Sequence, residues 1–205
     1  MGNSEVGHLT LGSGRRTWQD LMRINEDIKS GQFEKNENLI KAISHALSNN
    51  SALHIMGLLS NGGVHSHINH LYSILDLANK MGLKKVYVHA FLDGRDVPYN
   101  SSKTFIEDLE KHLNQTGYSL ASICGRIYAM DRENRFERLE KAYNTLVFGE
   151  NYTSNSVYDE IDNSYKQGIF DEFMLPKLFD KNATIKNNDR SEERRVGKEC
   201  RSRWS

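Results

Sequence analysis

Leu53-His54-Ile55-Met56-Gly57-Leu58-Leu59-Ser60-Asn61-Gly62-Gly63-Val64-His65-Ser66-His67 decides the fold. A short apolar run of buried-strand type passes into a Gly-rich polar loop, and a helical stripe of Ile68, Leu71, Leu75 and Ala78 follows. The same unit repeats on both sides. Upstream, Leu39, Ile40, Ile43 and Leu47 recur at helical spacing. Downstream, Gly82 stops the first stripe and Val86-Tyr87-Val88-His89-Ala90-Phe91-Leu92 reads as a second strand. Ser101 or Ser102 can cap a helix carrying Phe105, Ile106, Leu109 and Leu113, and Leu120-Ala121-Ser122-Ile123-Cys124 reads as a third strand. Phe136, Leu139, Tyr143 and Leu146 mark one more helix, ended by Gly149. Strands separated by helices predict an α/β fold, a mostly parallel sheet with helices on both faces.

Composition narrows the classes further. The 205 residues carry 27 Lys+Arg and 27 Asp+Glu, so neither the basic surplus of a nucleic-acid binder nor the acidic bias of a solvated tail is present. Apolar runs stay far below the roughly 20 residues that span a bilayer, and Met1-Gly2-Asn3-Ser4-Glu5 lacks the regions of a secretory signal. Two cysteines, Cys124 and Cys200, are too few for a disulfide framework or a four-ligand zinc site. A cytoplasmic protein with no nucleic-acid or membrane partner is expected.

From Arg190 the composition changes. Arg-Ser-Glu-Glu-Arg-Arg-Val-Gly-Lys-Glu-Cys-Arg-Ser-Arg-Trp-Ser has no amphipathic period and holds 6 Lys+Arg and 3 Asp+Glu, which leaves 21 against 24, a net of −3, on residues 1–189. It resembles a sequencing adapter, AGATCGGAAGAGC, translated in frame. Residues 190–205 are therefore read as a non-native, disordered tail that adds no packed element.

Each strand runs into a loop bearing chemistry. Leu59 leads to Ser60 through His67, Leu92 to Asp93-Gly94-Arg95-Asp96, and Cys124 to Gly125-Arg126 with Arg132 close behind. In a parallel sheet the carboxyl ends of the strands share one edge, where ligands bind. Glycine lets backbone approach a ligand, so Gly94→Val is expected to damage binding, and His or Arg can pair with an anion. One such loop is better explained by turn geometry or a structural ion pair; three together favour a small substrate bearing phosphate or carboxylate. His65, His67 and His70 lie within six residues, but positions two apart share no helix face and no carboxylate or thiol accompanies them, so no dedicated metal site is expected. Ser66 is expected to begin the following helix. His45, His54, His89 and His112 are read as packed or surface residues.

Four segments carry a family resemblance: Met-Gly-Asn-Ser-Glu-Val-Gly-His (1–8), Ser-Asn-Gly-Gly-Val-His-Ser-His (60–67), His-Ala-Phe-Leu-Asp-Gly-Arg-Asp (89–96) and Gly-Arg-Ile-Tyr-Ala-Met-Asp-Arg (125–132). In this order and spacing they resemble the cofactor-independent phosphoglycerate mutases. The resemblance implies an isomerase that interconverts 3-phosphoglycerate and 2-phosphoglycerate through a phosphoserine. It also implies a metal-dependent phosphatase domain of the alkaline-phosphatase type into which a phosphotransferase domain is inserted. By it, Ser4 matches the nucleophile and a ligand of one of two Mn2+ ions, while His65, Arg95, Asp96, Arg126 and Arg132 match substrate-holding residues. A metal-activated serine and Arg forks on phosphate or carboxylate suit that chemistry.

The domain division that follows is residues 1–17 as a remnant of the phosphatase domain, 18–189 as a C-terminally truncated phosphotransferase domain, and 190–205 as the tail. The resemblance implies further Asp and His metal ligands that this chain lacks, and an arginine-bearing segment that should begin just after Asp189. The chain alone is expected to be inactive and its parent monomeric. Competing readings are another alkaline-phosphatase-type metalloenzyme, such as a phosphopentomutase, and a non-catalytic phosphate-binding module.

Overall fold

The computed structural model describes residues 19–193, together with residues 7, 8, 11, 12 and 14. Helix α1 (Asp20–Lys29) is followed by α2 (Glu37–Ser48), and the alternation β1 (Leu53–Leu58), α3 (Ile68–Lys80), β2 (Val86–Leu92), α4 (Ser102–Thr116), β3 (Ser119–Gly125) builds the centre. Beyond it come the short α5 (Arg126–Ala129), α6 (Phe136–Phe148), α7 (Val157–Lys166), the two-residue β4 (Lys177–Leu178) and β5 (Arg190–Glu193). The three central strands fall where the apolar runs predict them.

The sheet order is β4-β3-β2-β1-β5. β1, β2, β3 and β5 are parallel, and β4 is antiparallel to β3. The chain thus winds outward from β1 through β2 to β3, then returns to place β5 on the other side of β1. That reversal makes the sheet doubly wound, a topology whose ligands bind at the carboxyl ends of the strands.

Alternation along the strands splits the core. Leu53 and Ile55, Val88 and Ala90, and Ile123 join the larger cluster, which includes Ile43 of α2, Ile74 of α3, Leu109 of α4 and Ile161 of α7. Leu58, Phe91 and Cys124 point to the opposite face and meet Ala129 of α5 and Ala142 of α6. Between Val88 and His89 the register shifts by one residue of β3, and the bulged Ala121 gives its carbonyl to the amide of Phe179 at 2.8 Å. The bulge brings Ile123 back to the main core and Cys124 to the second face.

The expectation that no packed element begins at Arg190 is corrected here. Arg190–Glu193 pairs in parallel with Leu53–Met56, and the amide of Arg190 donates to the carbonyl of Ala52 at 3.0 Å. The physical reason is that an edge strand is recruited by main-chain groups, and charged side chains are well tolerated there. Residues 194–205, and the boundary near Trp18, lie outside the described residues.

Candidate functional site

Three loops meet at the carboxyl ends of β1, β2 and β3, and one carboxylate joins them. Asp93, directly after β2, accepts from Ser60 Oγ of the β1 loop at 2.6 Å, from the amides of Arg95 and Asp96 at 3.2 and 3.0 Å, and from Arg126 Nη1 at the end of β3 at 2.5 Å. The same Arg126 nitrogen donates to Asp96 Oδ2 at 2.7 Å. Burial works against the Arg126 charge, but the hydrogen bonds to Asp96 and Asp93 outweigh it and hold the guanidinium above its ordinary pKa.

His65 is half-buried beside this cluster. Its pKa is lowered, first by burial and then by the positive charge of Arg126 and, more weakly, Arg132; Asp96 and Asp93 pull the other way. The imidazole is therefore biased to its neutral form within the electrostatic reach of both arginines. Arg95 lies on the exposed rim, 3.7 Å from Glu172 Oε1. Arg132 sits on the exposed loop after α5, where Asp131 accepts from the amides of Glu133 and Arg135 and from Arg138 Nη1 at 3.2 Å. Four of the residues singled out from sequence (His65, Asp96, Arg126 and Arg132) thus share one electrostatic neighbourhood, and Arg95 borders it. Ser4 lies outside the described residues.

Several local expectations change. The helix after the first loop starts at Ile68, and His67 caps it by accepting from the amide of Asn69, while buried Ser66 donates to the carbonyl of Leu58. Ser101 and Ser102 do not cap α4 with their own side chains. Their amides donate to Asp171 Oδ2, both at 2.9 Å, so the cap comes from 69 residues away. Two loop glycines serve chain packing rather than an incoming ligand. A Cβ on Gly125 would lie 2.4 Å from the carbonyl oxygen of Glu172. Gly94 has φ +67, and a Cβ there would meet Asp171 and Glu172 at 3.0 Å, so damage from Gly94→Val would come through the fold. The segment 171–174 clamps the β2 and β3 loops together.

Sequence reading missed Asp93, which stands inside the quoted Asp-Gly-Arg-Asp motif but offers no signal separating it from an ordinary turn aspartate. It also missed a second polar chain. His54 and His89, read as merely packed, are fully buried and connect Asp189 to Ser122: Asp189 Oδ2 to His54 Nε2 is 3.2 Å, His54 Nδ1 to His89 Nε2 is 2.9 Å, and His89 Nδ1 to Ser122 Oγ is 2.8 Å. Of the other histidines, His70 Nε2 meets Asn25 Oδ1 at 2.8 Å, and His112 pairs with Asp76 and stacks on Tyr72.

This is a doubly wound α/β domain with arginines and carboxylates gathered at its strand ends, the edge at which ligands bind in that class of fold. Comparison with known proteins narrows the class. Residues 24–191 match the family described as "BPG-independent PGAM N-terminus", and this chain belongs to that family. It is 54% identical over 194 residues to the 2,3-bisphosphoglycerate-independent phosphoglycerate mutase of Clostridium novyi (strain NT), and 53% identical to that of Clostridium perfringens (strain ATCC 13124). Each match covers 92% of this chain and 38% of the relative. A crystal structure of Leishmania mexicana phosphoglycerate mutase at low cobalt concentration superposes with TM-score 0.84 at 34% identity, covering 95% of this chain and 38% of that one. The chain therefore spans well under half the length of these relatives.

Ser4, the manganese ligand that the resemblance implies, lies outside the described residues. Among the described residues no three His, Cys, Asp or Glu side chains come together to hold a metal ion.

Proposed function

We propose that this chain contributes the phosphoglycerate-holding part of a cofactor-independent phosphoglycerate mutase, a cytoplasmic isomerase acting on 3-phosphoglycerate and 2-phosphoglycerate. The observation that carries this reading is the convergence of Arg126, Asp96 and His65 on one partly open site at the strand ends. Arg126, Arg132 and Arg95 offer charge and N–H donors to the carboxylate and phosphate of the ligand. Asp96 offers an acceptor for the glycerate hydroxyl and can take up or return its proton. In this reading Ser4 carries the phosphoryl group between the two hydroxyls, and the glycerate must stay enclosed, because water reaching the phosphoserine would turn transfer into hydrolysis.

The 205-residue chain by itself is expected not to interconvert the two phosphoglycerates, because one serine hydroxyl does not retain a divalent cation that takes roughly four to six ligands. Binding should persist. Titration calorimetry of the chain with 3-phosphoglycerate, beside a mutase assay with manganese, tests both parts. Saturable binding, weakened about a hundredfold by Arg126→Met, with no turnover, is the expected pair. Absence of binding overturns the substrate-holding role, and turnover abolished by Ser4→Ala overturns the expected inactivity.

A further inference from the structure

Asp93 and Asp96 share one Arg126 nitrogen, yet their surroundings differ. The Asp93 side chain is 1% exposed, and its two oxygens receive Ser60 Oγ, two main-chain amides and Arg126, close to the full acceptor capacity of a carboxylate. Its donors come from the loops after β1, β2 and β3, so moving Asp93 would undo contacts in all three. The Asp96 side chain is 16% exposed, and Arg126 Nη1 at 2.7 Å is its ion-pair partner. Exchanging that partner costs one hydrogen bond on a surface that water or a ligand can reach.

We propose that Asp93 is the positioning residue of the site. It holds Arg126 fixed from beneath, while Asp96 is the exchangeable partner, which leaves Arg126 when an anionic ligand arrives and turns to the ligand hydroxyl. This rests on the phosphoglycerate reading for the nature of the ligand, but the division of labour between the two carboxylates concerns any anion at Arg126. It has an unusual electrostatic consequence. Removing either negative charge should, by Coulomb attraction alone, strengthen anion binding. If Asp93 positions Arg126, Asp93→Asn weakens binding despite the charge it removes, while Asp96→Asn frees Arg126 and strengthens the binding of a simple anion.

The test titrates the 205-residue chain and its D93N, D96N and S60A variants with inorganic phosphate and with 3-phosphoglycerate, checking by circular dichroism that each is folded. Expected are about tenfold weaker binding of both ligands in D93N, tighter phosphate binding in D96N, and a loss of about threefold in S60A, which keeps every charge but removes one anchor of Asp93. Phosphate binding in folded D93N that equals or exceeds the wild type overturns the proposal. If D93N does not fold, unchanged affinity in S60A overturns it.

A wild type that binds phosphate but not 3-phosphoglycerate removes the substrate reading and leaves the D93N and D96N contrast in force. Should neither ligand bind, the Arg126 Nε–H resonance in ligand-free protein decides. Loss of a distinct, exchange-protected signal in S60A with its retention in D96N supports the proposal, and the reverse overturns it.

Discussion

Two chains of polar side chains cross the same three strands, one through the middle of the sheet and one at its carboxyl ends. The inner chain runs Asp189–His54–His89–Ser122 and is closed at every link. Because the Asp189 carboxylate accepts, His54 Nε2 donates. With neutral imidazoles, His54 Nδ1 then accepts from His89 Nε2, and His89 Nδ1 accepts from the Ser122 hydroxyl. Every donor has one acceptor, so nothing is left over for a ligand. The outer network has two carboxylates on one guanidinium nitrogen, a half-buried His65 and an exposed Arg95. The contrast teaches that burial and polarity do not mark a binding site by themselves: a saturated chain stabilises a fold, whereas a network with an exchangeable, solvent-facing member can accept a partner.

The largest effect expected of a single substitution breaks the inner chain at its charged end. Asp189→Ala strands His54 Nε2–H and the amides of Ala52 and Lys186, both 2.8 Å from the carboxylate. A loss of about 3 kcal/mol in denaturant unfolding is expected, with anion affinity of the folded protein unchanged. Equal stability would show that the chain is not needed for folding; a large affinity loss would merge the two networks.

Next comes Arg126→Met, which should cost about a hundredfold in 3-phosphoglycerate affinity by calorimetry. An affinity within about threefold of the wild type would move the ligand away from Arg126.

Acid should separate the networks by stability. Burial pushes the His89 imidazole down to about 3, and burial lowers His54 as well, against the pull of Asp189. The unfolded chain then binds these protons first, so stability is fully present above the ordinary histidine range and is lost as pH falls from there toward about 3. The slope from His89 should approach ~1.4 kcal/mol per pH unit, and His54 adds to it in the same direction. Denaturant midpoints measured across this range check it, and His89→Gln should flatten the slope; an unchanged slope would place the acid sensitivity elsewhere.

The smallest effect belongs to His65, lowered by burial and Arg126 in the free protein. A bound anion reverses the Arg126 influence and raises its pKa, so binding should strengthen as pH falls. The gain should be under about tenfold, beyond the titration of the ligand itself, which a parallel His65→Gln titration removes. Identical pH profiles in the two proteins would detach His65 from the ligand.

The main strands and helices were legible because their signals are local: Leu53–Leu58 and Val86–Leu92 are apolar runs, and Ile68, Leu71 and Leu75 keep helical spacing. The strand-end loops were legible for the same reason, since topology alone sends consecutive parallel strands to one edge. Distant partners were not. Asp171 reaches Ser101 and Ser102 across 70 and 69 positions, and Asp189 reaches His54 across 135. Arg190–Glu193 became a strand because β1 had an open edge beside it, not because its side chains favour one. The sequence by itself determined the three central strands, the helices between them and which loops carry charge, because hydrophobic period and turn chemistry act over a few residues. Only the tertiary structure decided that Asp93 joins three loops on Arg126 and that His54 and His89 form one buried chain, because a hydrogen-bond partner is fixed by where the sheet brings two side chains together in space.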